Sequence, residues 1–129
     1  MKKILAAGAF LIIAHTSVYA QVASFDCKRA STATERAICK TPALGAKDLK
    51  MASYYQILQE AHPAVGGMAY REFRDNIHAE QSKWMKSERD ICRSSIDCLT
   101  RAYDQRIKAL HETLLANVAL TYGRSCDGG

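Results

Sequence analysis

Apolar residues recur at intervals of three and four from Thr32 to Leu120, and alternation with a period of two is absent over any useful length. That pattern predicts helices and no strands. Thr32-Ala33-Thr34-Glu35 reads as a capping box, with the Thr hydroxyl on the N3 amide and Glu35 reaching back. A short helix should follow, from about Ala33 to Cys39. Thr41-Pro42 then supplies an N-cap and a proline at N1, where a missing N–H costs nothing. The second helix should run from Pro42 to about Ala61, with Leu44, Asp48, Met51, Tyr55 and Leu58 facing inward.

His62-Pro63-Ala64-Val65-Gly66-Gly67 breaks the pattern. A third helix is expected from about Met68 to Asp90, with Tyr70, Phe73, Ile77, Gln81, Trp84 and Glu88 inward. Ser94 with Asp97 should cap a fourth, from Ser95 to Leu120, whose stripe is Leu99, Tyr103, Arg106 or Ile107, Leu110, Leu114 and Val118. Asp104/Lys108 and Lys108/Glu112 read as i,i+4 pairs on its outer face. The expected fold is all-α: a small antiparallel bundle of one short and three long helices. The tail from Gly123 to Gly129 should be loose.

The N-terminus carries a different grammar. Lys2 and Lys3 precede an apolar run from Ile4 to Ala14, and Val18-Tyr19-Ala20 is a small-x-small cleavage box. This order marks a secretory signal over residues 1–20, with the domain occupying 21–122. The run is too short to span a bilayer, and no second long apolar stretch follows. Losing two lysines lowers the formal charge of +5 to +3. No cysteine follows the cleavage box, so no lipid anchor is indicated, and the protein should be periplasmic or secreted.

Export changes the reading of Cys27, Cys39, Cys92, Cys98 and Cys126. In an oxidising compartment four would pair and one remain. Several pairings are open. Proximity along the chain favours Cys27–Cys39 and Cys92–Cys98, with Cys126 free or intermolecular and therefore a route from monomer to covalent dimer. Zinc-ligand spacing is absent, and neither a metal nor a cofactor is expected. The histidines form no i,i+4 pair, and Glu72 with Asp75, or Glu88 with Asp90, reads as solvated helix surface rather than a glycosidase pair. No nucleophile–base order or phosphate loop stands out, so no catalytic residue is assigned. Interspersed acids break up the basic residues, which argues against nucleic acid as a partner. Asp48, Gln81 and Arg106 each interrupt an apolar stripe, and the expectation is one mutually satisfied polar cluster.

An ordered set of residues runs through these elements: Phe25-Asp26-Cys27, Glu35-x-x-Ile38-Cys39, Leu44, Asp48 and Tyr55, then Gln81-x-x-Trp84, Arg89-Asp90-x-Cys92, Cys98-Leu99 and Tyr103-x-x-Arg106-Ile107-x-x-Leu110. The set resembles the LprI-type lysozyme-inhibitor family of small secreted or periplasmic bacterial proteins, over roughly Phe25 to Leu110. Lys47, where the family usually has an apolar residue, and Cys126, outside its four-cysteine pattern, depart from it. The resemblance implies a disulfide-stapled helical domain that inhibits a lysozyme-type muramidase by occluding its cleft, without enzyme activity of its own. The loop between the second and third helices, with His62, Pro63 and Val65, and the neighbouring Arg71 and Arg74 are the expected contact residues, the arginines meeting cleft carboxylates. Immunity against a periplasmic toxin, or a structural role in the envelope, are the competing readings.

Overall fold

A computed structural model describes residues 22–60 and 68–117. The signal segment, the 61–67 connection, Val118 and Cys126 lie outside the described residues. Within them the chain forms a 3-10 turn at Cys27–Arg29, α1 at Ala33–Lys40, α2 at Pro42–Glu60, α3 at Met68–Trp84, a π turn at Met85–Arg89, a 3-10 turn at Asp90–Cys92, and α4 at Ile96–Ala116. The described residues contain no strand, and the fold is a small all-α bundle.

The capping box forms as its residues dictate. The Glu35 amide donates to Thr32 Oγ1 (3.1 Å), and the Thr32 amide donates to Glu35 Oε2 (2.9 Å). Pro42 begins α2. Pairs between helices give their directions. Lys47, Asp48 and Tyr54 of α2 meet Asp104, Tyr103 and His111 of α4, so these two helices run parallel. Met51 and Gln59 of α2 meet Gln81 and Arg74 of α3, and Gln81 and Trp84 meet Arg106 and Ala102 of α4. Thus α3 runs against both neighbours, and the three long helices go up, down and up.

The core is Ala23, Ile38, Leu44, Met51, Leu58, Ile77, Trp84, Leu99, Ala102, Tyr103 and Leu110, with Cys92 at its margin. The residues before α1 join it: Ala23 is fully buried. Gly45 makes room for them, since a Cβ there would collide with the Val22 carbonyl.

Three local expectations need correction. The third helix does not continue unbroken to Asp90, because the π turn inserts a residue after Trp84. That rotation carries Glu88 to the surface and brings Arg89 inward, with its guanidinium over the Trp84 ring at 6.0 Å. The cap of α4 is Ser95, whose hydroxyl accepts from the Cys98 amide at 3.4 Å, and not Ser94. Asp104 pairs across helices with Lys47 rather than along α4 with Lys108, while Lys108 and Glu112 do approach at 3.8 Å.

Both disulfides are present: Cys27–Cys39 and Cys92–Cys98. The first ties the 3-10 turn before α1 to that helix's last turn. The second closes the corner between the π turn and α4.

Candidate functional site

Two places concentrate polar chemistry, one inside and one outside. The inner one begins at Asp48, which is 1% exposed. Its Oδ1 accepts from the Tyr103 hydroxyl (2.8 Å), and its Oδ2 from the Ser24 amide (2.6 Å). One carboxylate thus satisfies a buried side chain of α4 and the backbone of the N-terminal segment. Burial, reinforced by the Asp48 charge, pushes the Tyr103 hydroxyl far above its ordinary pKa, against a smaller opposing effect of Arg89. Tyr103 is therefore a neutral donor at every physiological pH. Arg89 donates through Nε to Asp90 Oδ1 (2.8 Å). Its burial works against the charge, but Asp90 and Tyr103 outweigh that, and the guanidinium's pKa is raised.

Gln81 and Arg106 form a second, adjacent unit. Arg106 Nε donates to Gln81 Oε1 (2.9 Å), and Gln81 Nε2 points to Met51 Sδ at 3.0 Å. Glu80 lies 3.8 Å from Arg106 Nη1. Nη2 is the one buried side-chain nitrogen or oxygen without a partner among the described residues. Burial lowers the Arg106 pKa, and Glu80, Glu88 and Tyr55 act in the opposite direction. The expected three-residue cluster is thus split. Gln81 and Arg106 are bonded to each other, whereas Asp48 belongs to Tyr103 and Ser24. Removing Asp48 would leave Tyr103 and Ser24 unpaired and not Arg106. Both units border a cavity of about 210 Å³ that Met51, Tyr55 and Met85 also line. His78 and Ser82 border it too, yet no hydrogen bond joins them into a nucleophile–base pair.

The residues that carry the motif are therefore mostly interior. Asp48, Gln81, Trp84, Leu99, Tyr103, Arg106 and Leu110 are buried, and Phe25, Cys27, Cys39 and Tyr55 pack against the core. Trp84 gives its indole N–H to the Ala102 carbonyl (3.3 Å) and meets Tyr103 edge-on at 5.2 Å. These groups hold the bundle together and leave little for an outside partner to touch.

The outer place is the corner closed by Cys92–Cys98. The Ser95 amide donates to the Cys92 carbonyl (3.0 Å), closing a four-residue turn. Arg93, its first central residue, has φ 51° and ψ −114°, the conformation of a type II′ turn. It is the non-glycine residue with positive φ among those described. Residues 93 to 97 are all exposed, and Ile91 and Ile96 flank the turn at 67% and 50% exposure.

The other expected contact residues lie elsewhere. His62, Pro63 and Val65 are outside the described residues. Arg71 and Arg74 are exposed on α3, and neither joins the polar interior. Sequence reasoning missed the roles of Arg89 and Arg93. Arg89 sits one residue off the α-helical stripe because of the π turn, and nothing in Cys92-Arg93-Ser94-Ser95 advertises a turn that normally favours glycine.

Among the described residues no three His, Cys, Asp or Glu gather into a metal-binding group, and no helix is long and apolar enough to cross a membrane. No family model, curated protein or solved structure matches the chain.

Proposed function

We propose that this chain is an exported, non-enzymatic binding protein of the LprI type, which inhibits lysozyme or a related peptidoglycan-cleaving glycosidase by filling its cleft. The observation that carries the reading is the convergence of the ordered motif between Phe25 and Leu110 on one interlocked body. Its aromatic and charged members bond to one another inside, and its four cysteines form two local staples. Two disulfides in a domain this small fit an oxidising compartment, in keeping with the export grammar of residues 1–20. A stapled scaffold suits stoichiometric occlusion, because a surface ordered before binding loses little freedom on docking. The interior carboxylate is engaged by Tyr103 and Ser24 and the Arg106 guanidinium by Gln81, which favours a role in holding shape over one in chemistry.

The test is clearing of bacterial cell walls by several lysozyme types, with the mature protein titrated in and binding followed by calorimetry. One-to-one inhibition of at least one enzyme is expected, with an interface of about 1,200–2,000 Å² in total. Inhibition should fall on reduction of the disulfides. No inhibition and no binding heat with any lysozyme would remove the reading.

A further inference from the structure

We propose that the disulfide-closed corner Cys92–Cys98 is the inhibitory element, with Arg93 as the group that meets the carboxylate pair of the enzyme's cleft. This inference rests on the muramidase reading above and names the surface that reading leaves open.

Three observations lead to the corner. The first is backbone strain with no internal return. The first central position of a type II′ turn favours glycine, because a Cβ there crowds the backbone. The chain places arginine in it, at φ 51°. The guanidinium reaches no hydrogen bond, carboxylate or ring within the described structure, unlike Arg89 on Asp90 and Arg106 on Gln81. The fold bears the strain and gains no contact from the side chain, so a use for it lies outside the molecule.

The second observation is that the corner is fixed. The disulfide spans a sequence separation of 6, the Ser95-to-Cys92 hydrogen bond closes the turn inside it, and Ser95 caps α4 directly behind. A tip held at both ends presents its side chain with little ordering left to do.

The third is the composition of the surface. Ile91 and Ile96 are among the five large hydrophobic residues exposed on the described surface, and they stand on either side of Arg93. A shallow concavity of about 210 Å³ adjoins Ile91, bordered by Ser87, Glu88, Arg101 and Gln105. Apolar residues beside an exposed cation that bonds no other described group match a cleft whose walls hold sugar rings and whose centre holds two carboxyl groups. Arginine can engage such a carboxylate with two parallel hydrogen bonds. Asp90, already bonded to Arg89, does not compete for Arg93.

The experiment compares wild type, Arg93→Glu, Arg93→Gly, Ile91→Ser and the control Arg71→Glu/Arg74→Glu in the cell-wall clearing assay, each with a thermal melt. Arg93→Gly is the decisive variant, because glycine relieves the turn. It should melt higher than wild type and yet inhibit at least ~10-fold more weakly, the loss expected of a charge-assisted contact. Arg93→Glu should inhibit more weakly still, Ile91→Ser several-fold more weakly, and the α3 double variant within about two-fold of wild type. Wild-type inhibition that survives both Arg93 substitutions overturns the corner and leaves the muramidase reading standing. Loss of inhibition in the α3 variant alone moves the contact to α3. A wild-type protein that binds no muramidase defeats the underlying reading, and the assignment of the corner falls with it.

Discussion

The two staples lie at the same end of the bundle, where the parallel helices α2 and α4 begin, and use the same covalent device for opposite purposes. Around Cys27–Cys39, polar groups turn inward or satisfy the helix start. The Ser24 amide goes to Asp48, the Ser31 and Thr32 amides go to Glu35, and Ala23 is sealed into the core. Around Cys92–Cys98 the backbone is strained, two isoleucines face solvent, and an arginine reaches no partner. The first region resembles a domain interior that happens to lie near a terminus. The second resembles half of an interface. A disulfide alone therefore says little about role; what its neighbours do with their polar groups separates a fastening from a presenting element.

The largest effect should come from the interior beside the first staple. Asp48→Ala strands the buried Tyr103 hydroxyl and the part-buried Ser24 amide together, at about 1–3 kcal/mol for each group. A loss of about 3–4 kcal/mol in urea-unfolding free energy is expected. Asp48→Asn, which keeps one acceptor oxygen, should lose much less. A loss under about 1 kcal/mol for Asp48→Ala would mean that the N-terminal segment does not depend on this carboxylate, and the contrast between the two stapled regions would fail.

Deleting each staple sharpens the comparison. Loop-closure entropy gives about 3 kcal/mol for Cys27–Cys39 and about 2–2.5 kcal/mol for the shorter Cys92–Cys98 loop. The order of inhibition should be the reverse. Replacing Cys92 and Cys98 by serine should weaken inhibition at temperatures where circular dichroism shows the domain still folded. Replacing Cys27 and Cys39 should weaken it only in step with unfolding. Equal inhibition losses per unit of stability lost would show that both bridges act only through the fold.

Much of the architecture was legible because local signals and burial agree. Thr32-x-x-Glu35, Thr41-Pro42 and the stripe from Leu44 to Leu58 each point to the same helix starts and faces that the structure displays. The polar interior was half legible. Three polar residues on apolar stripes announced a buried network, but stripe positions do not say which helix lies opposite, and Asp48 found Tyr103 rather than Arg106. The end of α3 was not legible. A π turn needs one extra residue, and Trp84 to Glu88 has ideal α-helical spacing, so periodicity selects Glu88 where the structure buries Arg89. The corner was hidden for a related reason: a II′ turn is recognised by glycine, and here the glycine is missing.

Arg93→Gly also tests the strain independently of any partner. Removing a Cβ from this turn should stabilise the domain by about 1 kcal/mol after the greater freedom of glycine in the unfolded chain is counted. For a domain of this size that raises Tm by several degrees. No increase would mean that the turn accepts arginine without cost, and the first observation behind the corner would be withdrawn.

The smallest effect lies in the capping box and distinguishes the two stapled regions by pH. Backbone hydrogen bonds from Thr32 and then Ser31 hold the Glu35 carboxyl below its ordinary pKa, and burial opposes them only weakly. A carboxylate whose folded pKa is depressed stabilises the folded state above the unfolded value, near 4.3, and loses that contribution as pH falls through the folded pKa. Glu35 is half-exposed, so solvent screening keeps the gain under about 1 kcal/mol. Above about pH 5, Glu35→Gln should therefore be slightly less stable than wild type, and the two stabilities should converge as pH falls through the depressed folded pKa. Thr32→Ala removes the other half of the box and should cost about 1 kcal/mol. The gain from Arg93→Gly should remain level across the same range, because no carboxylate bonds Arg93 and backbone strain does not titrate. Denaturant midpoints of the three variants at closely spaced pH values would separate a region held by hydrogen bonds to a carboxylate from one held under strain.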